Sequence, residues 1–421
     1  MQKLILALPA LLLAACTSIA PEPAKQLSPA TRVATYDLHH RLMVLDTHLD
    51  TPAFFHTPSY RFTARGSFEI DGTQVDLPRM NEGGLDGGFW VIYTPQGPLD
   101  QASMNAARTA ALLRQTAIRE FAAKYSDEVE LAFTADDAER IHAAGKKVVF
   151  QSMENAYPLG NDLSLLETFY AGGLRMVAPV HFANNQYADS ATDVSPAYGG
   201  LSPLGEQLVR EANRLGLILD GSHASDDTVR DMLALSTTPI ILSHSGPKGV
   251  YDHPRNLPDD LIQAVAAAGG VIQINALGAY LERLTATPER TAALAELEAE
   301  YGGNIAALPE ERRNAYREAR RALDKQFPPP RSTFEKFMEH MLYTLDLVGP
   351  DHVGIGADWD GGGGVDGMED VSFLPKITEA LLEAGYTEYD LVKIWGGNQI
   401  RLMRAAESAR TATLTSPNVL N

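Results

Sequence analysis

Leu42-Met43-Val44-Leu45-Asp46-Thr47-His48-Leu49-Asp50 joins an apolar run to a polar trio spaced two residues apart. If the run is a buried strand, its side chains alternate sides, and Asp46, His48 and Asp50 share one face at its C-terminal end. An imidazole nitrogen and a carboxylate oxygen so placed both reach one divalent ion at ~2.0–2.2 Å. The same short pattern also suits polar groups that merely close a strand, so the rest of the chain has to decide.

Similar apolar runs recur at 88–93, 147–150, 174–180, 217–219, 239–242, 271–274 and 352–355, making about eight strands with the first. Helix-prone stretches at 101–125, 204–215, 226–235 and 259–268 alternate with them. Strands apolar on both faces, alternating with helices, indicate a parallel sheet covered by helices. Eight such units predict an α/β fold of the (β/α)8 TIM-barrel type. A doubly wound open sheet is the alternative, though no Gly-x-Gly-x-x-Gly turn follows the first strand to support a dinucleotide version. Residues 281–330 break the rhythm with a long, charged, helix-prone segment after strand seven, ended by Phe327-Pro328-Pro329-Pro330. A helical insertion there either walls the mouth of the barrel or stands in solvent as a helical pair.

The 421 residues suffice for a large core, and a formal net charge of -19 with no basic run argues against nucleic acid. Cys16 is the only cysteine, which excludes disulfides, thiolate metal sites and a cysteine nucleophile from the folded body. Any metal must be held by His, Asp and Glu. Lys3, the apolar stretch 4–13 and the small residues before Cys16 read as an export signal too short to span a membrane as a mature helix. Leu13-Ala14-Ala15-Cys16 resembles the bacterial lipoprotein signal, which implies lipidation of Cys16. Thr17 behind it, in place of Asp, leans toward an outer-membrane location facing the periplasm. An ordinary secretory signal with an incidental cysteine is the alternative. The expected organisation is a signal at 1–16, a tether at 17–33, one domain at 34–408 and a loose tail at 409–421.

Metal-competent residues gather at the ends of the expected strands. Glu154 follows the third, His181 the fourth, His223 the fifth, His244 the sixth and Asp358 the eighth. The C-terminal face is where barrel enzymes keep their catalytic groups. His48, Asp50, Glu154, His223 and His244 offer three imidazoles and two carboxylates, too many for one open catalytic zinc. Two ions ~3.5–4 Å apart, bridged by one carboxylate, use them all, and Glu154 is placed to bridge. Asp358 then remains to take a proton from the attacking water, or to orient a ligand histidine. His39, His40, His56, His142 and His340 read as ordinary surface or packed residues, His352 as structural, and His253 as either kind.

The run from Gly200-Leu201-Ser202-Pro203 to Asp220-Gly221-Ser222-His223 resembles the membrane (renal-type) dipeptidases. So do Ser243-His244-Ser245, Arg255-Asn256-Leu257-Pro258-Asp259-Asp260 and Gly354-Ile355-Gly356-Ala357-Asp358-Trp359-Asp360-Gly361. These are zinc peptidases of the metal-dependent amidohydrolase superfamily. The resemblance implies two Zn2+ per chain, one held by His48 and Asp50, the other by His223 and His244, with Glu154 shared. It also implies attack on a dipeptide by a metal-bridging hydroxide, with tolerance in many members for a C-terminal D-residue. His181 would face the substrate and steady the oxyanion, Arg255 would grip the free carboxylate, and Asp358 would be the acid/base. Members are often homodimers, and this sequence carries no interface signature. Thr47 and Leu49 depart from the usual Asp-Gly-His-Asn-Asp, and Asn155-Ala156 from Gly-Gly, which puts the substrate range in question. Another binuclear hydrolase on the same barrel, acting on a lactone, an N-acyl amino acid or a phosphoester, is the competing function.

Overall fold

The computed structural model describes residues 29–302, 305 and 308–415. The export signal, Cys16 and the tether as far as residue 28 lie outside the described residues. Among the described residues nine strands follow in order: β1 (Leu45–Leu49), β2 (Gly87–Tyr93), β3 (Val129–Leu131), β4 (Lys147–Glu154), β5 (Leu174–Val177), β6 (Ile218–Leu219), β7 (Ile241–Ser245), β8 (Val271–Ile274) and β9 (Val353–Ile355). All their pairings are parallel. One sheet runs β1-β2-β4-β5-β6 with β3 added beside β4, and the other runs β7-β8-β9.

The fold is α/β with a curled parallel sheet, consistent with a TIM-like barrel. Laid flat, β1 and β6 would stand four strand spacings apart, about 19 Å. Instead Leu45, Phe89, Val148, Phe150, Met176, Ile218, Ile241 and Val271, contributed by β1, β2 and β4 to β8, share one buried cluster with Ile400, Leu402 and Met403 of the C-terminal helix. Single parallel bridges join the two sheets at both seams, Asp220 to Ile241 and Leu49 to Trp359. Glycine makes the tight approaches possible. A Cβ on Gly88, whose φ is +145°, would collide with the carbonyl of Asp46 across the β1–β2 pair.

Several expected boundaries move. β1 begins where the apolar run 42–45 ends, so His48 lies inside the strand, and β7 likewise runs on through His244. Both strands carry an extra residue against their neighbours: Asp46 and Leu49 pair with Gly88 and Trp90, and Leu242 and Ser245 pair with Ile272 and Ile274. Such bulges keep polar side chains within a ladder and re-aim them. β3 is an unexpected strand; three residues with only Val129 fully buried leave little periodic signal. The N-terminal helix already starts at Pro29, inside the expected tether. At the other end, the helix Asn398–Thr415 continues into the expected loose tail. In the segment after β8, helices occupy Pro288–Tyr301 and Glu310–Gln326.

Candidate metal centre and active site

Glu154, the last residue of β4, is the hub of the strand-end cluster. Its Oε1 lies 3.0 Å from His223 Nε2, 3.5 Å from His244 Nε2, 3.5 Å from His181 Nε2 and 3.6 Å from His48 Nε2. His48 Nε2 in turn stands 3.4 Å from Asp50 Oδ2 and 3.9 Å from Asp358 Oδ1. Among the described residues three groups have the closeness needed to hold an ion: His48, Glu154 and His244; Glu154, His181 and His223; and His48, Asp50 and Asp358. All the residues expected as ligands therefore meet in one place, and His181 and Asp358 are equally close.

Backbone strain marks the same ring of positions. Asn155, His223, Asp358 and Asp360 are the non-glycine residues with left-handed φ among the described residues, at 72°, 66°, 65° and 65°. Held conformations of this kind concentrate where a side chain must be aimed. Asn155 stands where the resembling family has glycine, and Asn is among the residues that visit this region at low cost. Its Oδ1 accepts from the Tyr157 N–H at 3.1 Å and from Asn185 Nδ2 at 2.9 Å, so the departure is built into the loop.

The electrostatics are those of a site short of positive charge. Burial raises the Glu154 carboxyl to about 8 against the pull of His48, with Asp50 and Asp358 adding to the rise. Burial likewise raises Asp358 to about 7. Burial and the Arg255 charge push His223 well below its ordinary value. Burial, His48 and Arg255 do the same to His244. Both rings are therefore neutral, with a lone pair each. Their Nε2 atoms face each other at 2.8 Å, while His48 Nε2 and His223 Nδ1 are buried without any hydrogen-bond partner. Buried polar groups are normally satisfied. Converging imidazole nitrogens and carboxylates are a donor set suited to divalent ions such as zinc.

Asp46 does not join them. Its Oδ1 accepts from the His48 N–H at 2.8 Å and its Oδ2 from the Ala357 N–H at 3.1 Å, so it braces the ligand strand from behind. The expected trio is a pair plus a brace. Arg255 is 2 % exposed and does not line the cavity; its Nη2 donates to the His244 carbonyl at 3.0 Å and its Nε has no partner. His352 ties the start of β9 to the Gly270 carbonyl, the structural task expected of it.

A cavity of about 270 Å³ opens over the cluster, walled by Tyr93, Arg114, Phe182, Leu277, Tyr280 and Asp360 besides the ligand candidates. Sequence reasoning gave none of these six a role in the site. Tyr93 and Asp360 had a detectable signal: Tyr93 ends β2 in register with Glu154, and Asp360 follows Asp358 by two. Arg114 had none, since it reaches in from the middle of the helix Gln101–Lys124.

Imidazoles and carboxylates on the C-terminal ends of parallel strands, beneath a cavity, define a metallohydrolase site. The chain belongs to the membrane dipeptidase family, peptidase family M19, whose family model matches residues 33–417. Dipeptidase tcpJ of Claviceps purpurea is 32% identical over 338 residues, covering 79% of this chain and 69% of that protein. The probable dipeptidase PvdM from Pseudomonas aeruginosa has a similar structure, with a TM-score of 0.77 and 32% identity, over 91% of this chain and 100% of that one. A metallopeptidase from Rhodobacter sphaeroides, liganded with a phosphinate mimic of L-Ala-D-Ala, matches with a TM-score of 0.68 and 25% identity over 87% of this chain and 99% of that one. The chain is thus a hydrolase of the dipeptidase type.

Proposed function

We propose that this chain is a two-zinc dipeptidase that cleaves free dipeptides, including those with a C-terminal D-residue. The observation that carries the reading is the convergence of His48, His181, His223 and His244 on the single Glu154 oxygen. His48 and Asp50 would hold one ion, His223 and His244 the other, and Glu154 both. Bound there, the ions would acidify a water and polarise the scissile carbonyl.

The chain's own groups do the rest. Asp358, raised toward neutrality by burial, is suited to receive the proton of the attacking water and pass it to the leaving amine. His181, lowered to about 3 by burial and by the Arg255 and His48 charges, is neutral at working pH and offers a ring N–H to the oxyanion. Arg255, buried behind the wall residue Tyr280 with its Nε unpartnered, would supply the positive charge that draws the substrate's terminal carboxylate to that end of the cavity. Acceptance of a D-residue is supported by the L-Ala-D-Ala mimic bound to the Rhodobacter sphaeroides relative.

The same reading takes the two sheets as one (β/α)8 barrel closed by the Asp220–Ile241 and Leu49–Trp359 bridges, with the helices Pro288–Tyr301 and Glu310–Gln326 as an insertion at its mouth. It also takes the chain as exported and lipid-anchored through Cys16, for which the support is the Leu13-Ala14-Ala15-Cys16 sequence. Among the described residues no helix is long and apolar enough to cross a membrane. Expression in a bacterial host with a labelled fatty acid tests the anchor: the label should enter the wild type and not Cys16→Ala.

Assay of metal-stripped and zinc-reloaded protein on L-L and L-D dipeptides tests the activity. Zinc-dependent release of amino acids supports the reading, and turnover of lactones or phosphoesters without dipeptide cleavage overturns it. Arg255→Ala should lose activity mainly on dipeptides with a free terminal carboxylate; equal losses on amidated ones would remove Arg255 from that role.

A further inference from the structure

Asp220, Ser222 and Ser243 belong to the motifs that carry the family resemblance, yet nothing assigned to the centre uses them. All three are buried at the seam between β6 and β7. Asp220 Oδ1 accepts from two backbone N–H groups, those of Ser222 and Ser243, each at 2.9 Å. Its Oδ2 accepts the Ser243 hydroxyl at 2.6 Å. Ser243 Oγ lies 2.9 Å from His244 Nδ1. Ser243 Oγ also lies 3.3 Å from Ser222 Oγ, a much longer contact than the 2.6 Å to Asp220, so one arrangement of protons suits the short contacts. A carboxylate taking two N–H bonds is an acceptor only, so the single Ser243 hydroxyl proton points at Asp220. The Ser243 oxygen is left to accept, and the proton between it and the imidazole sits on His244 Nδ1.

We infer that Asp220 and Ser243 form a relay that locks His244 in the tautomer with its proton on Nδ1, so that the Nε2 lone pair faces Glu154 and the metal centre. Asp220 and Ser243 are positioning residues. A ligating histidine needs its second nitrogen fixed in this way. The relay acts on one ring only, since His223 Nδ1 has no hydrogen-bond partner. Ser222 provides the internal control. It is as buried as Ser243 and its Oγ lies 3.3 Å from Ser243 Oγ, but its contact with His244 is to the backbone N–H, which it accepts at 3.0 Å, and not to the ring.

The inference rests on the reading of His244 as a ligand. Zinc affinity of the purified protein, measured by competition with a chelator, tests it alongside the melting temperature of the metal-free form. Ser243→Ala should bind one of its ions roughly 10- to 100-fold more weakly, while the other ion is held as in the wild type. Asp220→Asn should lose at least as much. It keeps the volume and an oxygen for both backbone N–H groups, but its amide now donates to Ser243, whose hydroxyl must turn to His244 Nδ1 and drive the ring proton to Nε2. Nitrogen chemical shifts of His244 in the metal-free protein should show that exchange of tautomers. Ser222→Ala should lower the melting temperature and leave zinc affinity unchanged. Wild-type affinity in folded Ser243→Ala and Asp220→Asn, or an equal loss in Ser222→Ala, overturns the relay. If Ser243→Ala does not fold, Asp220→Asn decides alone by the same criterion. A wild type that binds no zinc overturns the reading of the centre itself, which is a distinct result.

Discussion

Two sets of buried histidines use their nitrogens in opposite ways. On the helix Pro29–His39, His39 Nε2 lies 2.8 Å from the Gly83 carbonyl and Nδ1 lies 2.7 Å from Thr378 Oγ1. Trp395 Nε1 donates to that same Thr378 oxygen at 2.8 Å. Protons then fall into one consistent chain, Trp395 to Thr378 to His39 to Gly83, with each of these donors matched to an acceptor. At the strand ends, His48 Nε2 and His223 Nδ1 are matched to nothing, and two Nε2 atoms face each other. Burial of a histidine therefore says little about its role. An unmatched set of imidazole nitrogens around a shared carboxylate distinguishes the centre from the His39 staple.

The sharpest way to break the comparison is to remove the shared carboxylate. Glu154→Gln should lower dipeptide turnover roughly 10³-fold or more, the scale of several kcal/mol of transition-state stabilisation. It should lose bound metal too, and elemental analysis beside the assay checks both. Asp358→Asn should lose about 10²- to 10⁴-fold in turnover and keep its metal; metal loss would make Asp358 a ligand instead.

On the staple side the effects are on stability. His39→Ala should cost roughly 2–4 kcal/mol in urea unfolding, from a cavity and unmatched partners, with unchanged turnover per folded molecule. The pH dependence has a definite sign. Burial lowers His39 from 6.5 to about 4, so as pH falls the unfolded chain binds the proton first. Its contribution is complete above pH 6.5 and disappears between 6.5 and about 4, roughly 3 kcal/mol in all. Metal-free wild type should lose that stability relative to His39→Gln over this window, as read from urea midpoints. Trp395→Phe, which removes one donor from the chain, should cost only about 1 kcal/mol.

Much of the site was legible because its residues end strands. An apolar run followed by a histidine or carboxylate survives in the sequence wherever the run lies, and Glu154, His223 and Asp358 were found in that way. The braces were not legible, because their partners are remote or are backbone atoms. Asp46 and Ala357 meet across 311 residues, and the Thr47 hydroxyl reaches the Ser243 carbonyl at 2.6 Å across 196. The β1 and β7 bulges were hidden for a related reason. Strict alternation assigned Asp46, His48 and Asp50 to one face, whereas an extra residue in the ladder makes Asp46 a brace. Arg114 enters the cavity through the packing of its helix, which periodicity does not reveal.

The most direct test of the central claim is a zinc titration of metal-stripped protein in which bound metal and release of amino acids from a free dipeptide are followed together. Activity should start near zero, rise with occupancy and saturate at two ions per chain. Full dipeptide hydrolysis by the metal-free protein would contradict the account.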